Sequence, residues 1–80
     1  MTTIRFFAAA RAAVGVDSLS TTGRTIEAAL GAIDVVADPA RWGALQERCS
    51  YLVDGVTTRD RATSLDGVEV VDVMPPFAGG

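Results

Sequence analysis

The sequence closes on Pro75-Pro76-Phe77-Ala78-Gly79-Gly80, and this segment holds its clearest chemical possibility. Two adjacent prolines favour a stiff, extended backbone. Fully extended, such a segment reaches roughly 18–20 Å beyond its base. Gly79 and Gly80 have no Cβ, so they fit a narrow channel and accept unusual backbone angles. A stiff base, an apolar anchor at Phe77 and a slender end with a free carboxylate suit delivery of a terminal acyl group into another protein's active site. A carboxylate is inert at neutral pH, so it must first be activated, and adenylation by ATP does this. The acyl group then passes to sulfur or to an amine. A Gly-Gly end alone is also compatible with a frayed, functionless terminus. The combination of Pro-Pro, anchor and Gly-Gly after a Val-rich strand argues against that reading.

The rest of the composition leaves few other chemistries. The chain has 80 residues, net charge −3, a single cysteine (Cys49) and no histidine. Histidine acid–base catalysis is excluded, as are the usual zinc ligand sets and an internal disulfide. All seven basic residues are arginine, which fits a GC-rich coding bias. No basic stripe runs along the chain, which argues against nucleic acid as a partner. No apolar run approaches the ~20 residues that span a bilayer. The start, Met1-Thr2-Thr3-Ile4-Arg5, lacks a signal-peptide pattern, so a cytoplasmic location is expected. A single small domain buries roughly 60–65% of its unfolded surface, which leaves no large internal active-site cavity. Chemistry is expected at an edge, a tail or a partner interface.

The elements that must position the tail follow from periodicity. Thr2 to Phe7 alternates as a strand, with Ile4 and Phe6 on one face and Arg5 and Phe7 on the other. Ala8 to Val14 favours a short helix closed by Gly15, and Val16 to Thr21 a second strand. Thr25 is a good N-cap for a helix running to Val36, with Ile26, Ala29, Leu30, Ile33 and Val36 at helical spacing and Gly31 as its weak point. Asp38-Pro39 opens a second helical segment, from which Trp42 and Leu45 pack inward. Tyr51 to Val53, the turn Asp54-Gly55 and Val56 to Thr58 form a hairpin. Arg59 to Thr63 is a polar loop, Asp66-Gly67 a further turn, and Val68 to Met74 the last strand, ended by Pro75-Pro76. The order predicts an α+β domain over 1–74, a mixed sheet packed on one main helix, with 75–80 as a flexible extended tail.

These residues resemble a known family, the MoaD/ThiS ubiquitin-like sulfur carriers, and most closely those that form the small subunit of molybdopterin synthase. The resemblance runs from Ile4-Arg5-Phe6-Phe7-Ala8 with Arg11 and Gly15, through Thr25-Ile26-Glu27-Ala28-Ala29-Leu30 and Leu52-Val53-Asp54-Gly55. It ends in Asp66-Gly67 and Val73-Met74-Pro75-Pro76-Phe77-Ala78-Gly79-Gly80. It implies a ubiquitin-like β-grasp roll. The family often has Asn in place of Asp54, and the stretch Asp66 to Val71 is one residue longer than its usual pattern, which suggests a bulge before the last strand.

The resemblance implies a carrier with no bound cofactor or metal rather than an enzyme. An ATP- and magnesium-dependent activating enzyme adenylates Gly80, and a persulfide sulfur donor displaces AMP to leave a C-terminal thiocarboxylate. The tail, with Gly79, Ala78 and Phe77 leading back to the domain, then enters the large subunit of molybdopterin synthase. There the sulfur passes to a pterin precursor of the molybdenum cofactor. Pro75 and Pro76 position the tail. Phe7, Arg11 and Met74 are candidate partner contacts; core packing for Phe7 and a solvated helix position for Arg11 are the plain alternatives. Cys49 is read as a small buried hydrophobe rather than a sulfur relay. Two other functions remain open: a sulfur carrier for thiamine or cysteine synthesis, and a ubiquitin-like binding or conjugation module.

Overall fold

The computed structural model describes residues 1–34 and 36–76. Within them the chain forms β1 (Thr2–Phe6), α1 (Ala8–Val14), β2 (Ser18–Thr21), α2 (Ile26–Gly31), α3 (Pro39–Gln46), β3 (Ser50–Val53), β4 (Val56–Thr58) and β5 (Val70–Met74). One sheet has the order β2-β1-β5-β3-β4. β5 is central, parallel to β1 and antiparallel to β3, so the sheet is mixed as expected.

Strand alternation sorts the residues by face. Ile4, Phe6, Tyr51, Val71 and Val73 point to the helical side and are almost fully buried. There they meet Ala10, Ala13 and Val14 of α1, Ile26, Ala29 and Leu30 of α2, and Trp42 of α3. Phe6 and Trp42 pack edge to face, with ring centroids 5.8 Å apart, an arrangement that adds to simple area burial.

The local signals act where they stand. Gly15 caps α1 at φ 96, and its N–H donates to the carbonyl of Arg11. The Thr25 hydroxyl accepts from the Ala28 N–H at 3.1 Å, and the Asp38 carboxylate accepts from the Arg41 N–H at 3.2 Å. Asp54 and Gly55 both have positive φ, 48° and 89°, the tight hairpin turn whose twist matches the flanking strands.

Five boundaries differ from expectation, two of them by one residue: β1 stops at Phe6 instead of Phe7, and β3 begins at Ser50 instead of Tyr51. The helix capped by Thr25 stops at Gly31 instead of Val36, and the helical layer is shared among three short helices. Glycine is the poorest non-proline helix former. Ile33 and Val36 still pack on the core from the segment beyond, so their spacing reports burial and not helix continuity. β2 begins at Ser18, because Val16 and Asp17 form the bend that follows Gly15. β5 begins at Val70, because the N–H groups of Glu69 and Val70 donate to the Asp54 carboxylate at 2.9–3.2 Å. The lengthened segment and Asp54 thus meet in space. A carboxylate has two acceptor oxygens for these adjacent amides, where an Asn side chain offers one.

Two glycines make opposite predictions. A Cβ on Gly23 would lie 2.6 Å from the Ala29 backbone nitrogen and 2.8 Å from its Cα, whereas a Cβ on Gly31 meets nothing within 4 Å. Gly23→Ala is expected to cost about 2 kcal/mol through overpacking against immovable backbone. Gly31→Ala is expected to add about 0.5 kcal/mol by favouring the helix. Urea unfolding of both variants measures the two signs.

Candidate functional site

Because β1 and β5 run parallel, they finish at the same end of the sheet. Arg5 faces Asp72 and Phe6 faces Val73 in register, so Phe7, which leaves β1, comes beside Met74, the last residue of β5 and still paired with Ser50. Four of the expected contact residues are thereby gathered: Phe7, Met74, Pro75 and Pro76. Phe7 has extended backbone, φ −121° and ψ 151°, at the N-cap of α1. Ala8 then turns sharply at φ 49°. Phe7 is 37% exposed, which decides against ordinary core packing. Met74 and Pro76 are half-buried, while Pro75 is buried and so holds the base of the tail against the domain. Phe77, Ala78, Gly79 and Gly80 lie outside the described residues.

An ion pair that periodicity did not single out organises this end. The Arg5 guanidinium donates to both oxygens of Asp72, at 2.5 Å through Nε and 2.9 Å through the terminal nitrogen. Such a fork-to-fork pair fixes orientation as well as charge. Its hydrogen bonds, and then the Asp72 charge, raise the Arg5 pKa further above its usual value. The guanidinium carbon also sits 5.7 Å from the Phe7 ring centroid, within cation–π range. Asp72 therefore holds Arg5, and Arg5 steadies the ring beside the tail. The available signal is Asp72 itself, an acid inside the Val70-Val71-Asp72-Val73 stretch. Its partner became visible only with the parallel register.

Strand parity places Val70, Met74 and Leu52 on this same outward face, each half-buried. Phe7, Met74 and Leu52 thus flank one neutralised ion pair on this face. Arg11 does not join it. Its guanidinium turns toward Asp17 at 3.6 Å, and both side chains are largely exposed, so the pair has little energetic weight.

Cys49 is 2% exposed and part of the core. Burial pushes its thiol pKa up to about 11. Its neighbour Tyr51 donates a hydrogen bond to the Gln46 carbonyl at 3.3 Å, and burial raises its pKa to about 12. A buried, protonated thiol is a poor nucleophile, so its surroundings agree with the packing role expected of Cys49. Among the described residues no group of acidic or cysteine side chains is placed to hold a metal, and no helix is long and apolar enough to cross a membrane.

A family model, ThiS family, matches residues 4–80. The chain belongs to the ThiS family. Its β-grasp fold and sulfur-carrier function follow from that membership. ThiS-family proteins are small, ubiquitin-like, non-catalytic carriers that work with activating enzymes and larger catalytic partners. Comparison with curated proteins gives no match. The matched span includes Phe7 and the Gly-Gly segment.

The buried thiol sets a testable pH dependence. Its folded pKa, about 11, exceeds the ordinary value of 9.0. The native state therefore keeps its proton where the unfolded chain has lost it. The stabilising contribution is complete below pH 9.0 and is lost as pH rises to about 11. Urea midpoints should fall across that window in the parent and fall less in Cys49→Ala. Iodoacetamide should label Cys49 at neutral pH only as the protein unfolds.

Proposed function

We propose that the carboxyl group of Gly80 is the working group of this sulfur carrier, and that the chain serves as the small subunit of a molybdopterin synthase. The observation that carries the reading is the placement of Pro75-Pro76 at the end of the central strand, beside exposed Phe7, with Phe77-Ala78-Gly79-Gly80 following. A tail that leaves from the best-anchored strand has a defined origin, and Phe7 and Met74 give a partner something apolar to grip at that origin.

The chemistry proceeds in three steps. The Gly80 carboxylate attacks the α-phosphorus of ATP on an activating enzyme, forming an acyl-adenylate and releasing pyrophosphate. A persulfide sulfur attacks the acyl carbon and AMP leaves. A thiol then cleaves the remaining S–S bond, which frees the thiocarboxylate. The large subunit binds the domain through the apolar end of the sheet and admits Gly79 and Gly80 to its active site, where sulfur passes to the pterin precursor. The domain holds its shape and presents the tail, and the partner supplies acid–base groups. The reading places the protein in the cytoplasm, where ATP and the persulfide donor are available. The Pro-Pro-Phe-Ala-Gly-Gly pattern favours molybdopterin over thiamine or cysteine synthesis.

Incubation with an activating enzyme, ATP, magnesium and a persulfide donor should give the mass increase of one oxygen-to-sulfur exchange, located at Gly80 by fragmentation. Deleting Gly80, or adding a residue after it, should abolish the exchange without changing the unfolding midpoint. Exchange that survives both changes would overturn the terminal acyl mechanism. For the docking face, Phe7→Ala should weaken binding of the large subunit by about 2 kcal/mol, measured by calorimetry. Unchanged affinity would remove Phe7 from the interface.

A further inference from the structure

The other edge of the sheet carries a second feature, unrelated to the tail. β2 is an edge strand. The Phe6 N–H donates to the Asp17 carbonyl at 2.8 Å. Antiparallel pairs alternate between bonded and non-bonded positions. Ile4–Leu19 and Thr2–Thr21 are therefore the bonded pairs, while Arg5–Ser18 and Thr3–Ser20 are not. It follows that the N–H and C=O groups of Ser18 and Ser20 point away from β1, toward open solvent. Among the described residues they have no backbone partner.

Directly beneath this edge, on the helical side, is a mainly apolar cavity of about 240 Å³ between β2 and α2. Val16, Leu19, Ala29 and Ile33 supply its apolar wall. Val16 is 39% exposed, and Leu19 and Ile33 are half-buried, so the wall is incompletely covered. Asp34 lines the same cavity. Asp17 lies next to Val16, its carboxylate 85% exposed. Gly15 approaches Ala37 closely, a Cβ there lying 3.0 Å from the Ala37 methyl, so the start of β2 and the segment after α2 meet at one end of the groove. That end is acidic.

We infer that the β2 edge and the adjoining groove form a docking site for an extended segment of a partner protein. The segment adds as a sixth strand. Its main chain pairs with Ser18 and Ser20, its alternate aliphatic side chains enter the groove, and a flanking Arg or Lys sits over Asp34. Strand addition of this kind draws affinity from main-chain hydrogen bonds and selectivity from pockets for every second side chain. A four-residue edge (Ser18–Thr21) is too short to aggregate readily but long enough to register a short peptide. β2 is separated from β5 by β1, and the groove opens on the face opposite Arg5 and Asp72. The site therefore remains open while the tail and the outer face are in use, and it stands whether or not the pathway assigned above is correct.

The test is titration of ¹⁵N-labelled protein with the synthetic peptide Arg-Val-Thr-Ile-Thr-Val-Arg. Saturable shifts and slowed amide exchange at Ser18 and Ser20 are expected, with shifts at Val16, Leu19 and Ile33. Replacing both peptide arginines by glutamate should weaken binding several-fold. Ser20→Pro removes an outward N–H without touching the bonds to β1, and should weaken binding about tenfold. Asp34→Asn should weaken the Arg-flanked peptide and keep the fold, so it carries the test if Ser20→Pro does not fold. Sulfur loading should be unchanged in both variants. Three results would overturn the proposal: no saturable binding, shifts centred on Thr3 and Leu52 of the outer face, or full affinity in both variants. Sedimentation showing that the free protein pairs with itself through β2 would also overturn it, by naming a second copy as the occupant.

Discussion

The pairing of the first strand with the last is the constraint on which the rest of this structure depends. β5 lies between β1 and β3, so the residues made last complete the middle of the sheet. Thr3 pairs with Val70 and Phe6 with Val73, across nearly the whole chain. Until β5 enters, β1–β2 and β3–β4 are separate antiparallel pairs, and isolated two-stranded pairs are marginal in water. Val71 and Val73, 2% and 0% exposed, supply the apolar side chains that join the two halves. The strand that carries the tail is thus also the strand that makes the domain one body.

The two faces of that strand divide the work. Its inward valines are core, and replacing them trades directly against stability. Outward, Asp72 fixes Arg5, Arg5 lies by Phe7, and Met74 leads to the buried Pro75. Apolar surface at this end is held in place by a charged pair whose charges cancel, which leaves a surface that is oriented but not strongly polar. Such a patch suits a partner that must seat a tail in one register.

Legibility in the sequence followed the range of the interaction that decides each feature. Thr25, Asp38-Pro39, Gly15 and Asp54-Gly55 act within a few residues, and each caps or turns the chain where its type indicates. Ile4, Phe6, Val71 and Val73 show their burial through period-two spacing alone. The extent of the Thr25 helix was overread because Ile33 and Val36 are buried without being helical. The start of β5 depended on Asp54, some fifteen residues upstream. Arg5–Asp72 and the groove beside β2 needed the strand order, which no local pattern contains. Pro75-Pro76 is legible as a strand end, and the closeness of that end to Phe7 only once β1 and β5 are known to run parallel.

The parallel arrangement of the terminal strands has a mechanical consequence. A load applied at the C-terminal end of β5 along its axis acts toward the end where β1 also finishes. The ladders to β1 and β3 lie across that direction, so such a load is shared by all their bonds in shear rather than breaking them singly, as peeling would. The Asp54 carboxylate anchors the rear of the same strand at Glu69 and Val70. The domain therefore resists a pull along its central strand without coming apart at that strand.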